Sequence, residues 1–370
     1  MVCLTDGTTP FRLNLHYGDI GHTLIFGPTG SGKSTLLAMI AAQFRRYKNA
    51  QIYAFDKGMS MFPLTLAAGG THYDLGDGNA SFAPFQWLDE GETEIAWVID
   101  WLEALFTLQG MTLTPGHMEA LNQGVRQLKN MPAHMRNMTH LHLVIPDNEL
   151  KLALNYYTES GACGRMWEAS TDSFAMSDFM TIEIESLMQM GPKFLLPALL
   201  YVFHRIEKGL TGNPSIIILD EAWLMLAHPV FREKIREWLK VLRKANCAVI
   251  LATQSLSDAD RSGIMDVLAE SCPTKIFLAN FSANQENQRH QYIGLGLNSR
   301  QIQIITNAAP KRDYYVTSPA GRRLVQLALG KKALAFTGAS SKENITRIKQ
   351  LHKQYGDAWP MEWLKERNAV

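Results

Sequence analysis

Residues Gly27-Pro28-Thr29-Gly30-Ser31-Gly32-Lys33-Ser34 fit the pattern Gly-x-x-x-x-Gly-Lys-Ser/Thr, and no other feature of the chain restricts its fold so strongly. In such a loop, consecutive backbone N–H groups point inward and cradle anionic oxygens. Its glycines let the main chain approach without an obstructing Cβ. The motif demands a strand before it and a helix after it. His22-Thr23-Leu24-Ile25-Phe26 is a short apolar run, and Thr35 to Tyr47 reads as a helix. Chance alone gives the pattern in about 1% of chains of this length, and this context lowers the figure. The loop predicts a nucleoside triphosphate site made by Gly27, Pro28, Thr29, Gly30, Ser31, Gly32, Lys33, Ser34 and Thr35. Lys33 would supply charge to the β and γ phosphates, Ser34 a hydroxyl ligand for Mg²⁺, and the helix its positive N-terminal end.

The surrounding pattern is α/β. Gln51 to Asp56 reads as the next strand and ends in a carboxylate at its tip, where α/β folds place ligands. From about Asp89 to Leu196 the chain changes to amphipathic stretches rich in Met, Leu, Trp, Asn and Glu. These predict an inserted all-α subdomain over 91–195, within a core formed by 1–90 and 196–370. Three apolar runs then return: Ser215 to Asp220, Ala248 to Gln254 and Lys275 to Asn280. Near-continuous apolar strands suit a mainly parallel central sheet covered on both faces, and helical stretches such as Phe231 to Asn246 supply the crossovers. Ser318-Pro319-Ala320-Gly321 predicts a hairpin between Asp313–Thr317 and Arg323–Leu327, and Lys342 to Tyr355 a basic terminal helix.

Ile216-Ile217-Ile218-Leu219-Asp220-Glu221 presents two acids at the end of a buried strand. Asp220 would hold Mg²⁺ through water or beside Ser34, and Glu221 would polarise an attacking water as general base. Gln254, at the tip of the next strand, would sense the γ phosphate, orient water, or cap the strand. Arg243, near a helix end, stands beside Lys244 and reads as packing or solvated charge. Asp56, followed by Lys57 and Gly58, contacts ligand or caps a turn. Arg312, Arg322 and Arg323 bracket the hairpin as edge charges or as cations that reach a neighbouring subunit's phosphate. His140-Leu141-His142 reads as a strand or loop of structural role, lacking partners at metal-ligand spacing. Met111, Met118, Met131, Met135, Met138 and Trp167 read as core and partner-facing packing rather than a cofactor box.

Composition excludes several classes. With 46% hydrophobic and 19% charged residues and a formal net charge of +1, the 370-residue chain is globular rather than disordered or strongly basic. A DNA partner is not indicated by charge, although a local basic stripe needs none in the total. Cys3, Cys163, Cys247 and Cys272 lie far apart, against a zinc ribbon or disulfide framework and for a reducing cytoplasmic setting. The longest apolar run, Phe194 to Phe203, contains Pro197 and falls short of the roughly 20 residues a membrane span needs. The N-terminus lacks the pattern of a signal peptide.

These residues carry a family resemblance. The chain resembles the C-terminal ATPase domain of conjugative-transfer and type IV secretion ATPases of the TrbE type, within the HerA/FtsK-like ring motors. It does so in His22 to Ser34, Ala54-Phe55-Asp56-Lys57-Gly58, Leu219-Asp220-Glu221-Ala222-Trp223, Arg243-Lys244, Ala252-Thr253-Gln254-Ser255 and Lys311-Arg312-Asp313-Tyr314-Tyr315. The resemblance implies a RecA-like P-loop core with a helical insertion, and hydrolysis of ATP with Mg²⁺. It also implies homo-oligomeric, often hexameric, assembly with other secretion components at the cytoplasmic face of the bacterial inner membrane. By motif position it makes Arg243 an arginine finger acting in trans and Gln254 the γ-phosphate sensor. Such relatives carry an extra N-terminal domain, whereas here the P-loop follows only about 26 residues, so an isolated motor domain, which could stand as a monomer by itself, is expected. The expected function is an ATPase serving pilus assembly and substrate transfer. The rivals are a DNA-translocating ring ATPase, as in a coupling protein or a HerA-like translocase, and a nucleotide-binding scaffold with little hydrolysis alone.

Overall fold

The computed structural model describes residues 1–5, 7, 9–76, 78, 80–221, 228–257, 263 and 265–370. The chain divides into two compact units. One comprises Met1–His72, Ser177–Glu183 and Leu210–Val370, the other Tyr73–Met176 and Ile184–Gly209.

The strands are β1 (Val2–Cys3), β2 (Phe11–Arg12), β3 (Thr23–Phe26), β4 (Gln51–Asp56), β5 (Thr71–Asp74), β6 (Phe179–Glu183), β7 (Ser215–Leu219), β8 (Cys247–Thr253), β9 (Thr274–Leu278), β10 (Asp313–Ser318) and β11 (Gly321–Gln326). β1 and β2 pair by themselves. The other nine form one sheet in the order β11-β10-β9-β3-β8-β7-β4-β6-β5. From β9 to β6 every neighbour is parallel, and β10 and β11 close one edge as an antiparallel hairpin. The expected mainly parallel α/β sheet and its terminal hairpin are both present.

Register explains where chemistry can collect. Phe26 lies beside Thr253, Leu219 beside Phe55, and Asp56 beside Glu183. The loops after β3, β4, β7 and β8 therefore leave the sheet at one edge, the C-terminal ends of its strands. β7 and β8 are buried along their whole length, as strands covered on both faces must be. Helix α1 (Lys33–Phe44) covers one face, burying Leu36, Leu37, Ile40 and Ala41 in one cluster with Ile25, Ile52, Ile216 and Ile250. Each buried leucine or isoleucine here contributes about 1.5–3 kcal/mol through burial. The last helices of the chain, Lys331–Thr337, Lys342–Tyr355 and Trp359–Glu366, form a second cluster around Trp359 and Trp363, into which Phe62 inserts.

The other unit is mainly helical. Its longest helices are Glu92–Leu108, Pro115–Lys129 and Pro192–Gly209. Thr114 and His117 form a reciprocal cap at the start of the second. Pro197 sits inside the third, and its carbonyl accepts a hydrogen bond from Trp101 Nε1 at 3.1 Å. Asp172 ties the unit together, accepting from Ala83 N (2.7 Å), Gln86 Nε2 (2.9 Å) and the Tyr201 hydroxyl (2.6 Å). Met138 and Trp167 are buried, while Met111, Met118, Met131 and Met135 are half-buried.

Two details differ from the sequence reading. The segment read as an all-α insertion over 91–195 contains β6, a fully buried five-residue strand of the main sheet, and the second unit comprises Tyr73–Met176 and Ile184–Gly209. His140-Leu141-His142 lies in a helix, Met138–Val144, whose start is capped by the Asn137 side chain. Among the described residues no helix is long and apolar enough to cross a membrane, and the four cysteines are buried free thiols.

Candidate functional site

The loop between β3 and α1 is set by close approaches. Gly27 N donates to Thr253 O at 3.1 Å, and a Cβ at Gly27 would lie 2.6 Å from Ser31 Oγ and 2.8 Å from Leu278 Cβ. Ser31 Oγ donates to Pro28 O at 2.6 Å, which closes the turn. Gly32 has φ 104, and a Cβ there would be 3.0 Å from both Lys311 Cα and the Tyr314 hydroxyl. α1 starts at Lys33 with no side-chain cap and no acid in its first turn. Its leading N–H groups and dipole thus suit an anion.

The acids at the end of β7 meet this loop. Lys33 Nζ lies 2.5 Å from Glu221 Oε1 and 3.1 Å from Asp220 Oδ1, with all three residues buried. Burial raises the Asp220 carboxyl above its ordinary range, and the Lys33 ammonium opposes that rise. Asp220 N donates to Phe55 O at 3.0 Å, which locks the acid to β4. Glu221 adopts φ 55, a left-handed conformation that costs a residue with a side chain, and its N–H donates to Asp220 Oδ1 at 3.0 Å. Thr29 Oγ1 donates to Gln254 Oε1, so the loop and the tip of β8 are joined.

A cleft of about 700 Å³ opens here. Its lining combines residues 28–30 and 32–35 of the loop, Glu221, Gln254, Lys311 and Arg312 with the mostly apolar segments Leu327, Ala328, Leu329, Leu334, Gly338 and Ser340. This mixture of charged and apolar groups suits a ligand with an anionic part and an organic part. For a divalent cation the chain offers the Ser34 hydroxyl and the Asp220 carboxylate, hard oxygen donors of the kind Mg²⁺ takes alongside phosphate oxygens and water. That donor chemistry fits Mg²⁺.

Of the residues singled out in the sequence, Lys33, Ser34, Thr35, Glu221 and Gln254 line this cleft with Pro28, Thr29, Gly30 and Gly32, while Asp220 pairs with Lys33 behind them. Arg243 does not join them. It precedes β8 at the opposite edge of the sheet, with Nε 3.6 Å from Asp19 Oδ2, and the seven residues of β8 span about 23 Å at the usual strand rise. Asp56 is wholly buried beneath the loop edge. Ser60 Oγ donates to it at 2.6 Å and Met61 N at 2.7 Å, so it caps a turn. Its carboxyl is pushed up to about 7, first by burial and then by the neighbouring Glu183. Arg312 lines the cleft of its own chain, with Nε 2.9 Å from Asp313 Oδ1, whereas Arg322 and Arg323 lie exposed on edge strand β11. Ala222 and Trp223 lie outside the described residues.

Sequence reasoning overlooked three contributors: Glu183, Lys311 as an individual residue, and the segment from Leu327 to Ser340. The positive φ of 63 at Lys311 left no sequence signal, since glycine or asparagine usually marks such a position.

No protein-family model matches the chain. It is 55% identical over 375 residues to the conjugal transfer protein TrbE of Rhizobium radiobacter, covering 99% of this chain and 45% of that protein. It is 27% identical to the type IV secretion system protein virB4 of Bartonella henselae, over 97% of this chain and 46% of that one. The chain thus spans about half the length of the curated relatives it matches. Among solved structures, VirB4 of Thermoanaerobacter pseudethanolicus superposes with a TM-score of 0.72 at 17% identity, over 90% of this chain and 97% of that one. That likeness bears on the fold.

Proposed function

We propose, for a chain that is TrbE-like over nearly its whole length, that it hydrolyses ATP with Mg²⁺ as the motor of a conjugation or type IV secretion apparatus. Its relatives in sequence are conjugal-transfer and type IV secretion proteins, and it shares a P-loop fold with VirB4. The observation that carries the reading is the Lys33 ammonium shared between Asp220 and Glu221 at the mouth of the loop.

A triphosphate tail entering the loop competes for Lys33. As the lysine turns to the β and γ phosphates, the two acids are released for separate roles. Asp220 and Ser34 would hold Mg²⁺, whose charge would offset that of the phosphate oxygens. Glu221 then orients and polarises the attacking water, and Gln254, tethered to the loop through Thr29, faces the γ phosphate. Arg243 cannot reach the cleft of its own chain across the length of β8, so a finger role requires a second copy. Hydrolysis then depends on assembly into a homo-oligomer, hexameric in the working machine. In this reading the chain acts at the cytoplasmic face of the bacterial inner membrane with other secretion components, and its hydrolysis drives pilus assembly and substrate transfer.

The test is phosphate release with Mg-ATP over a range of protein concentrations, beside Lys33→Ala, Glu221→Gln and Arg243→Ala. Turnover that climbs faster than protein concentration and is lost in all three variants is expected. Full activity in Arg243→Ala would remove the finger, and absence of turnover despite Mg-ATP binding would remove the motor.

A further inference from the structure

Resting on that nucleotide-site reading, we propose that Lys311 is a second lysine of the triphosphate site, one that binds phosphate oxygens of the nucleotide held by its own chain. Lys311 sits at the tip of a closed turn, 309–313. The buried Asp313 fixes this turn from both sides: its N–H donates to Ala309 O at 3.0 Å, and its Oδ2 accepts from Ala309 N at 2.9 Å. Within the turn Lys311 adopts φ 63, a conformation that costs a side-chain-bearing residue and costs glycine nothing.

This backbone is used against the phosphate loop. Lys311 N donates to Ser31 O at 2.8 Å, and Lys311 Cα stands 3.0 Å from where a Cβ at Gly32 would lie. The turn thus braces the loop where it becomes α1, and Lys311 lines the same cleft as Lys33 and Ser34.

Charge balance gives the side chain its role. Lys33 is matched by Asp220 and Glu221, and Arg312 is held by Asp313. Among the described residues no ion pair is formed by Lys311. A triphosphate carries more negative charge than one lysine and one divalent cation cancel, so an exposed ammonium on a braced turn beside the loop is placed to take the remainder.

Substitution separates the main chain from the ammonium. Lys311→Gly keeps the left-handed turn and removes the charge, while Lys311→Arg keeps the charge. Binding of Mg-tripolyphosphate and of Mg-ATP is measured by calorimetry for both variants and the unaltered protein, with melting temperatures confirming that each is folded. Lys311→Gly is expected to bind both ligands about tenfold more weakly, the scale of one charge-assisted hydrogen bond. Lys311→Arg is expected to stay within about threefold of the unaltered protein. Binding of Lys311→Gly as tight as that of the unaltered protein, or an equal loss in Lys311→Arg, overturns this proposal alone. Failure of the unaltered protein to bind either ligand overturns the nucleotide-site reading and this proposal with it.

Discussion

Asp56 and Glu183 lie side by side in register at the ends of β4 and β6, and both carboxylates hold the same turn. Glu183 accepts from Gly58 N at 3.1 Å and Met59 N at 2.5 Å, while Asp56 accepts from Ser60 Oγ and Met61 N. Two buried acids therefore fix the loop after β4, next to the strand that carries Asp220.

That arrangement gives a pH dependence with a definite sign. The Asp56 carboxyl is raised from 3.8 to about 7 by burial and by Glu183, so between those values the folded state binds the proton more tightly than the unfolded chain. Stability contributed by Asp56 therefore falls as pH rises across that window. The stability of Asp56→Asn, relative to the unaltered protein, is expected to improve as pH rises from about 5 to 8. Urea midpoints at several pH values check this, and a pH-independent difference would contradict it.

The two left-handed glycines of the loop should respond unequally. Gly30 has φ 79 and open space around a Cβ, while Gly32 has φ 104 and two atoms at 3.0 Å. Gly30→Ala is expected to cost about 1 kcal/mol, the conformational share, and Gly32→Ala about 2 kcal/mol or more through added overpacking. Chemical denaturation orders them.

Glu221→Gln keeps size and removes the charge. If Glu221 is the base, single-turnover phosphate release falls by about 10²–10⁴-fold while Mg-ATP still binds. Retained turnover would move the base elsewhere.

In the C-terminal cluster Trp363 is 2% exposed, and its Nε1 donates to Ala335 O at 2.8 Å. Trp363→Ala is expected to cost about 3–5 kcal/mol. Trp363→Phe, which keeps most of the ring and loses the hydrogen bond, should cost much less. Their urea midpoints separate packing from hydrogen bonding.

Much of the fold is legible in the sequence because a buried parallel strand leaves an apolar run in the chain. β4 matches its run residue for residue, and Pro319 and Gly321 mark the hairpin turn. β6 leaves no such mark, because five apolar-rich residues between helices resemble a turn of buried helix. The helical place of His140 and His142 is equally hidden, since two short helices can interrupt their own period. At the site, Lys33, Ser34, Asp220 and Glu221 declare themselves through local motifs. Lys311 and Leu334 do not, because chain crossovers rather than local spacing bring them to the loop.

β8 joins two places that a single copy never brings together: Gln254 follows its last residue, and Arg243 stands a few residues before its first. A buried strand neither stretches nor bends appreciably. Were Arg243 to enter a second copy's cleft, as proposed above, the length of β8 would act as a ruler between the two sites, and a displacement at one would be handed on to the other rigidly.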